Sequence, residues 1–476
     1  MAGTFSYTES TNIIVVTGGT SGAPATFNDM YTADQAGTGT VLLAAIAGSA
    51  TNTLTYAIRP THDKALVVKC IVAGKTTEAD YIFITGTDAW GTAQTESIDV
   101  SAGNASYTST KKFATITNID CSDNSAGEGT VWEDGTISVT QDIWGVVWET
   151  VTDAQYKIDC NIEIGDGSTS TYFTIVNEMI YSAGWISTKA EATLIIGSEG
   201  SASGIAGYGA YVQMVAGPSW SNAVMIGSTA IVKIYNSVIR WNTTTLAFRS
   251  GYIYIYNSIF TSDSTARAFV VSAEVTSGEI DGMTLYNSSG MSVKQSLVTT
   301  NRITVDTVDF ACQGNTGDTT LKDLLATNTI TADLRAITGH FIKVVDPRFH
   351  LSNVIILDAD GVIYEQYTCN IHVNDADGNN LAGVTVTCTD QASGEEFSVD
   401  TDANGDIAEQ TIDYKKWSGT SETLTSYSPH VFTLSKTDYE TLELNAITVD
   451  HPIVWNLELQ APASGGSVNL LQGLLS

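Results

Sequence analysis

Between Leu194 and Val305, short apolar pairs recur at intervals of about twenty residues, and no other feature of the chain restricts its fold as much. The pairs are Leu194/Ile196, Val212/Met214, Val232/Ile234, Ile253/Ile255, Met283/Leu285 and Ile303/Val305, with first members 18, 20, 21, 30 and 20 residues apart. Partners two apart point to one side of an extended backbone, and the residue between them (Ile195, Gln213, Lys233, Tyr254, Thr284 or Thr304) points to the other. A short strand repeated at this length buries its inward face only by stacking on its neighbours, which is what a β-solenoid requires. Three rungs continue into Tyr-Asn-Ser at 235–237, 256–258 and 286–288, so Asn236, Asn257 and Asn287 are expected to form a ladder at one coil corner. The competing arrangement is an antiparallel sandwich with evenly spaced strands. Six in-register rungs and the shared asparagine favour the solenoid.

The rest of the composition agrees with an all-β chain: 41 Gly against 7 Pro, 43% hydrophobic and 15% charged residues, with many Thr, Ser, Val and Ile. At 476 residues the chain is too long for one core. The formal charge of −31 would repel a polyanion, so nucleic acid is not an expected partner. The longest apolar stretch, 41–46, is far short of a bilayer span, so no membrane is expected either. Residues 1–5 carry no cationic or apolar leader pattern, and the first basic residue is Arg59. The expectation is synthesis in a cytoplasm, with release by lysis or a dedicated machine. Cys70, Cys121, Cys160, Cys312, Cys369 and Cys388 show no metal or redox spacing, which leaves buried free thiols as the default.

Residues 1–150 read as an N-terminal β-sandwich, with strand-like runs at 13–16, 66–72, 81–85 and 112–119. Within it, 84–98 and 107–119 form a β-meander whose turn is made by Asp88 and Gly91. The pieces Thr85-Gly-Thr-Asp88 and Ser109-Thr-Lys-Lys-Phe-Ala-Thr-Ile-Thr117 resemble a pattern of virion β-sandwich domains in tailed bacteriophages. That resemblance implies a virion component and brings no catalytic residue with it. Trp132, Trp144 and Trp148 are expected to cover the first coil, with sugar stacking as the alternative. The parallel β-helix is expected over 151–350, with an outward loop around 266–276 and a linker at 351–366. The only helix expected is a short one at 321–327.

A second sandwich is expected over 367–460. Its carriers are 369–388 (CNIHVNDADGNNLAGVTVTC), Asp400-Thr-Asp-Ala-Asn-Gly405, Tyr439 and Val454-Trp-Asn-Leu-Glu-Leu459, which resemble the carboxypeptidase regulatory-like, or transthyretin-like, domain. The resemblance implies a spacer or binding module without an active site. Residues 461–476 are a linker and an apolar tail.

Candidate chemistry is sparse. Asp400, Asp402 and Asn404 reproduce the first half of a calcium loop, but Thr411 stands where the bidentate Glu belongs, which favours a structural turn. Glycan-cleaving solenoids need two positioned carboxylates. Among Asp263, Glu274, Glu279, Asp281, Asp306 and Asp309, the pair Glu279 and Asp281 share a face and are the catalytic candidates. A hairpin pairing Val373 with Val384 would put Cys369 opposite Cys388, close enough for a disulfide; strands in two different sheets are the alternative. The histidines form no triad or zinc pattern, and no cofactor is expected.

Outward apolar side chains (Tyr252, Tyr254, Ile195, Ile239) and the tail residues Leu470, Leu471, Leu474 and Leu475 point to self-association. The resemblance to viral fibres makes a homotrimer the expectation. The sequence reads as a non-enzymatic structural protein on a virion surface, capsid-decorating or fibre-like, partnered by its own copies and other virion proteins, with a host surface glycan as a further partner. A tailspike glycan depolymerase and a prokaryotic cell-surface adhesin are the alternatives.

Overall fold

The computed structural model describes residues 3–8, 13–36, 41–47, 69–73, 81–87, 92–111, 113, 115–122, 136–140, 147–149, 155–158, 160–182, 184–199, 210–214, 224–226, 229–242, 245–249, 251–266, 268–272, 274–293, 297–314, 318–337 and 339–462. It is nearly all-β, with a central parallel β-solenoid of about seven turns and one helix among the described residues. Two compact units divide it, residues 1–243 and 244–476.

In the first unit, three parallel sheets wall the coils. One stacks Ile13–Thr17, Asn161–Ile164, Ile186–Thr188 and Val224–Ile226. The second stacks Ala25–Thr26, Thr171–Ile175, Ala192–Ile196 and Ile231–Tyr235. The third stacks Gln155–Ile158, Met179–Ser182, Tyr211–Met214 and Val238–Trp241. The expected boundary at residue 150 therefore fails for the start of the chain, because residues 13–26 supply strands to the first coil. The helix Phe27–Ala36 follows. Its Thr26 and Asp29 form a reciprocal cap: Asp29 N donates to Thr26 Oγ1 (3.2 Å) and Thr26 N to Asp29 Oδ2 (3.0 Å). Phe27 is fully buried, 5.1 Å edge-on from Phe173 and 6.1 Å from Tyr156, so the helix start covers the open coil interior.

Thr4–Thr8 pairs antiparallel with Ile13–Thr17, occupying an edge that would otherwise template aggregation. Residues 41–140 contribute two antiparallel sheets. One contains Val41–Ala47, Lys69–Ala73, Ser106–Thr108 and Thr136–Thr140; the other contains Tyr81–Thr87, Ala93–Asp99 and Thr115–Ser122. The expected hairpin is present, but Thr115–Ser122 returns beside Tyr81–Thr87 rather than continuing a meander. The turn residues Asp88 and Gly91, like Trp132 and Trp144, lie outside the described residues. Trp148 falls in Val147–Glu149, an antiparallel strand at the edge of the third wall.

In the second unit, Gly251–Tyr256, Val275–Asp281 and Val298–Asn301 stack in one wall. Ile259–Ser262, Thr284–Val293, Ile303–Gly314 and Leu324–Ala336 stack in another. Ala268–Val271 lies between Thr245–Phe248 and the second half of Thr284–Val293, so the region expected to loop outward is a wall strand with Phe269 and Val271 fully buried. Thr319–Lys322 stacks on Phe341–Val345, and the expected helix at 321–327 is two strands parted by Asp323.

The expected linker at 351–366 is also absent as such. Val354–Ile356 stacks on Leu334–Ala336, and the first five residues of the strand Val362–Asp375 stack on Phe341–Val345. That strand runs on into the C-terminal sandwich, where residues 362–369 pair with Gln410–Ser418 and residues 369–375 with Ile453–Leu459. The facing sheet is Glu395–Asp400, Thr385–Thr389, His430–Ser435 and Leu442–Ile447. One strand thus belongs to both coil and sandwich. Asp346 ties the joint by accepting from Thr368 N (2.7 Å) and Thr368 Oγ1 (2.9 Å).

Left-handed corner residues recur between walls: Asn177, Gly197 and Asn236 in the first unit, and Asn257, Gly282, Arg302, Asp323 and Asp346 in the second. Asn, Asp and Gly pay least for this backbone, which explains the Tyr-Asn-Ser signal. Asn287 sits at a different corner, stacked with Thr307 and Asn328 (φ 49°, 54° and 52°), so the three asparagines do not form one ladder. The six rungs likewise divide between walls: Leu194/Ile196 stacks on Val232/Ile234, whereas Met283/Leu285 belongs to the wall of Ile303/Val305. Each coil carries several strands with the same inward pair, so spacing alone did not say which wall a rung occupies.

Candidate functional site

The outer face of the Gly251–Tyr256 wall presents Tyr252, Tyr254 and Tyr256, beside Ser277, Glu279 and Asp281 on the next strand and Thr299 and Asn301 on the one after. Burial alternates strictly along Gly251–Tyr256, so Ile253 and Ile255 fill the interior while the tyrosines stay half-exposed. Glu279 and Asp281 do share a face, and each has a bonding partner. Tyr256 OH donates to Glu279 Oε2 (2.9 Å). Arg302 grips Asp281 with Nε (2.8 Å) and Nη2 (2.7 Å), and Nη2 also reaches Asn257 Oδ1 (3.4 Å). This contact raises the guanidinium pKa further above its usual value.

Ion pairs and amide bonds link neighbouring coils elsewhere as well. Lys189 meets Glu163 (3.0 Å), Arg348 meets Asp323 (2.8 Å), and Asn328 donates to Asp306 (2.7 Å), which holds the Asp306 carboxyl below its ordinary range. Tyr252 and Tyr254 lie outward as expected. Ile195 is half-buried, but Ile239 is a core residue at 2% exposure. Leu470, Leu471, Leu474 and Leu475 lie outside the described residues.

The Asp400, Asp402 and Asn404 segment is occupied by turn bonds. Asp402 Oδ1 accepts Asn404 N (2.8 Å) and Asp406 N (3.0 Å), which lowers its pKa, while Asp400 Oδ1 accepts Thr385 Oγ1 (2.7 Å). Among the described residues, no group of three or more His, Cys, Asp or Glu is placed to hold a metal ion.

Cys369 and Cys388 are free, buried thiols on opposite sheets: Cys369 pairs with Gln410 and Ile453, Cys388 with Phe397 and Phe432. The expected hairpin register fails because the turn closes earlier, with Leu381 N donating to Val373 O (2.9 Å), after which the chain crosses to the facing sheet. Both thiols share one apolar core, and burial pushes the Cys369 pKa up to about 12.

Glu365 and Glu178 are buried carboxyls, and Glu396 is largely buried. Glu365, with no side-chain exposure, accepts Tyr367 OH (2.9 Å) on Oε1 and faces His350 Nδ1 at 3.4 Å. Burial raises its pKa against the opposing pull of Tyr367, Lys415 and His350. Glu178, raised to about 8 by burial and then by Asp29, lies in the first unit. Glu396 lies beside the fully buried His430. Strand parity was the available signal: Glu365 follows Ile363 and precedes Tyr367 in the inward series, and His430 leads Phe432 and Leu434.

No family model matches the chain, and no curated protein matches it. Among solved structures, the Bacillus anthracis TIE protein aligns over 24% of this chain and 21% of its own, with 15% identity and a TM-score of 0.16. A likeness that slight carries no argument about function.

Proposed function

We propose that the protein is a non-enzymatic structural component of a tailed-virus particle, decorating the capsid or forming a fibre, and that its copies associate with one another and with other virion proteins. The supporting observation is the set of bonds on the coil exteriors. The outer carboxylates with the best claim to chemistry, Glu279 and Asp281, are engaged by Tyr256 and Arg302 in contacts that tie one coil to another. A cleaving pair needs one carboxyl to carry a proton and the other to meet water or the sugar. A scaffold needs carboxylates used as Asp281 is used here. The phage-like pattern at 84–119 supports the virion setting.

The C-terminal sandwich is read as a transthyretin-like spacer or binding module, and a host surface glycan as a ligand held without cleavage. Purified protein incubated with host capsule or lipopolysaccharide is expected to release no reducing ends and no unsaturated uronates. Oligosaccharide release that disappears in a folded Glu279→Gln variant would replace this reading with a tailspike depolymerase.

A further inference from the structure

We propose that Glu396 and His430 share one proton, so that the C-terminal sandwich keeps level stability across mildly acidic pH, and that losing either residue converts the domain into a pH switch of opposite sign. The two side chains come from the same sheet, on Glu395–Asp400 and His430–Ser435, and face the opposite sheet at Gln410–Ser418. His430 is fully buried. Its Nδ1 lies 3.2 Å from Ser428 Oγ, which already accepts Val449 N (3.1 Å) and so has its proton to give to the ring. With the Ser428 hydroxyl donating to Nδ1, Nε2 is the protonated nitrogen of the neutral ring. Nε2 makes no hydrogen bond of normal geometry; it lies 3.9 Å from Glu396 Oε1, and the ring is also near the backbone of Asp413. A buried donor one short movement from a carboxyl is costly unless something is gained by the arrangement.

Glu396 Oε2 accepts Asp413 N (3.2 Å), and Asp413 Oδ1 accepts from Gln366 Nε2. The other ionisable groups facing the pair are Asp390, Asp413 and Tyr427, whose hydroxyl stays protonated because burial and these acids push it to about 12. Asp390 and Asp413 favour a proton on either group, whereas burial disfavours the charged form of each and so places the shared proton on Glu396, leaving both side chains neutral. Burial raises Glu396 from 4.5 to about 7 against the hydrogen bond from the Asp413 backbone and with the help of the Asp413 and Asp390 charges, while burial lowers His430 below its usual 6.5 against the upward pull of Asp390 and Asp413.

The signs follow by linkage. Between pH 4.5 and 6.5 the unfolded chain holds one proton, on the histidine, and a folded pair that shares one proton, carried by the glutamic acid, also holds one. Folding then takes up no net proton and stability is level. With Glu396 alone, stability is present at low pH and lost as pH rises towards 7. With His430 alone, stability is lost as pH falls below 6.5.

The test is native-state hydrogen exchange of the full chain, corrected for intrinsic exchange, on peptides covering 395–400, 410–418 and 430–435. Wild-type opening is expected to change no more than about threefold between pH 6 and 8. His430→Asn is expected to open roughly tenfold more at pH 8 than at pH 6, and Glu396→Gln about fourfold less. Slopes of the same sign in the two variants, or a wild-type slope as steep as either, would overturn the proposal. If neither variant folds, the wild-type protein with carbon-13-labelled histidine decides. A buried imidazole that stays neutral below pH 6.5 and reports a second step near pH 7 supports the pair; one that titrates in a single step near 6.5 refutes it.

Discussion

Gly290→Ala is expected to be among the most damaging single substitutions in the second unit. Gly290 has φ +113°, and a Cβ added there would lie 2.0 Å from the carbonyl oxygen of Phe310 on the stacked strand. The obstacle is backbone, so no side chain can rotate away, and relief requires separating two coils. The left-handed backbone alone costs about 1–3 kcal/mol for a residue with a Cβ, and the lost coil contacts add to that. Gly378→Ala isolates the backbone share, since Gly378 has φ +80° and nothing within 4 Å of an added Cβ. Urea denaturation followed by circular dichroism should show Gly378→Ala with a modest loss and Gly290→Ala either unfolded or with a loss at least twice as large. Equal losses would mean that the coils are not packed this closely at Gly290.

Phe269→Ala should cost about 3–5 kcal/mol, the usual range for emptying a buried aromatic site. Phe269 is fully buried, 5.1 Å edge-on from Phe260 and 5.7 Å from Phe248, so one truncation opens a cavity and removes two ring contacts. Phe269→Leu should recover most of that loss. The same denaturation experiment checks both variants. A loss below about 1 kcal/mol for the alanine variant would return this segment to the exposed loop that its spacing suggested.

Phe269 also shows where the sequence was hard to read. The 30-residue interval between Ile253 and Met283 looks like a normal repeat plus an outward insertion, because only two apolar pairs frame it. In fact the extra residues form another wall strand. Their inward series, Phe269 and Val271, has the same period as every other wall, so nothing local marks it as a different side of the coil. The strand period and the all-β class were legible, since they depend on residue type and parity; the asparagines marked coil corners but not which corner each one turns. Wall membership was not, because it depends on which neighbour the strand stacks upon.

The supposed linker at 351–366 was missed for a related reason: its turn signal at Asp358 to Gly361 is real, with Gly361 N donating to Asp358 O (3.1 Å), but strands flank it closely. The helix Phe27–Ala36 has a start signal in the sequence, Thr26 three residues before Asp29. At the candidate site, the shared face of Glu279 and Asp281 followed from their spacing, whereas Arg302 reaches Asp281 from the corner that ends the next strand, and long-range partners of that kind are invisible without the stacking register. Glu396 and His430 are likewise 34 residues apart in sequence and meet only once the sandwich is formed.

The proposed structural role in a virus particle is tested most directly by quantitative mass spectrometry of density-gradient fractions from a lysate of the producing host. Peptides of this protein are predicted to band with assembled particles, at a copy number per particle that is a multiple of three. Recovery in the cell-envelope fraction, with none in the particle band, would contradict the account and favour a cell-surface adhesin.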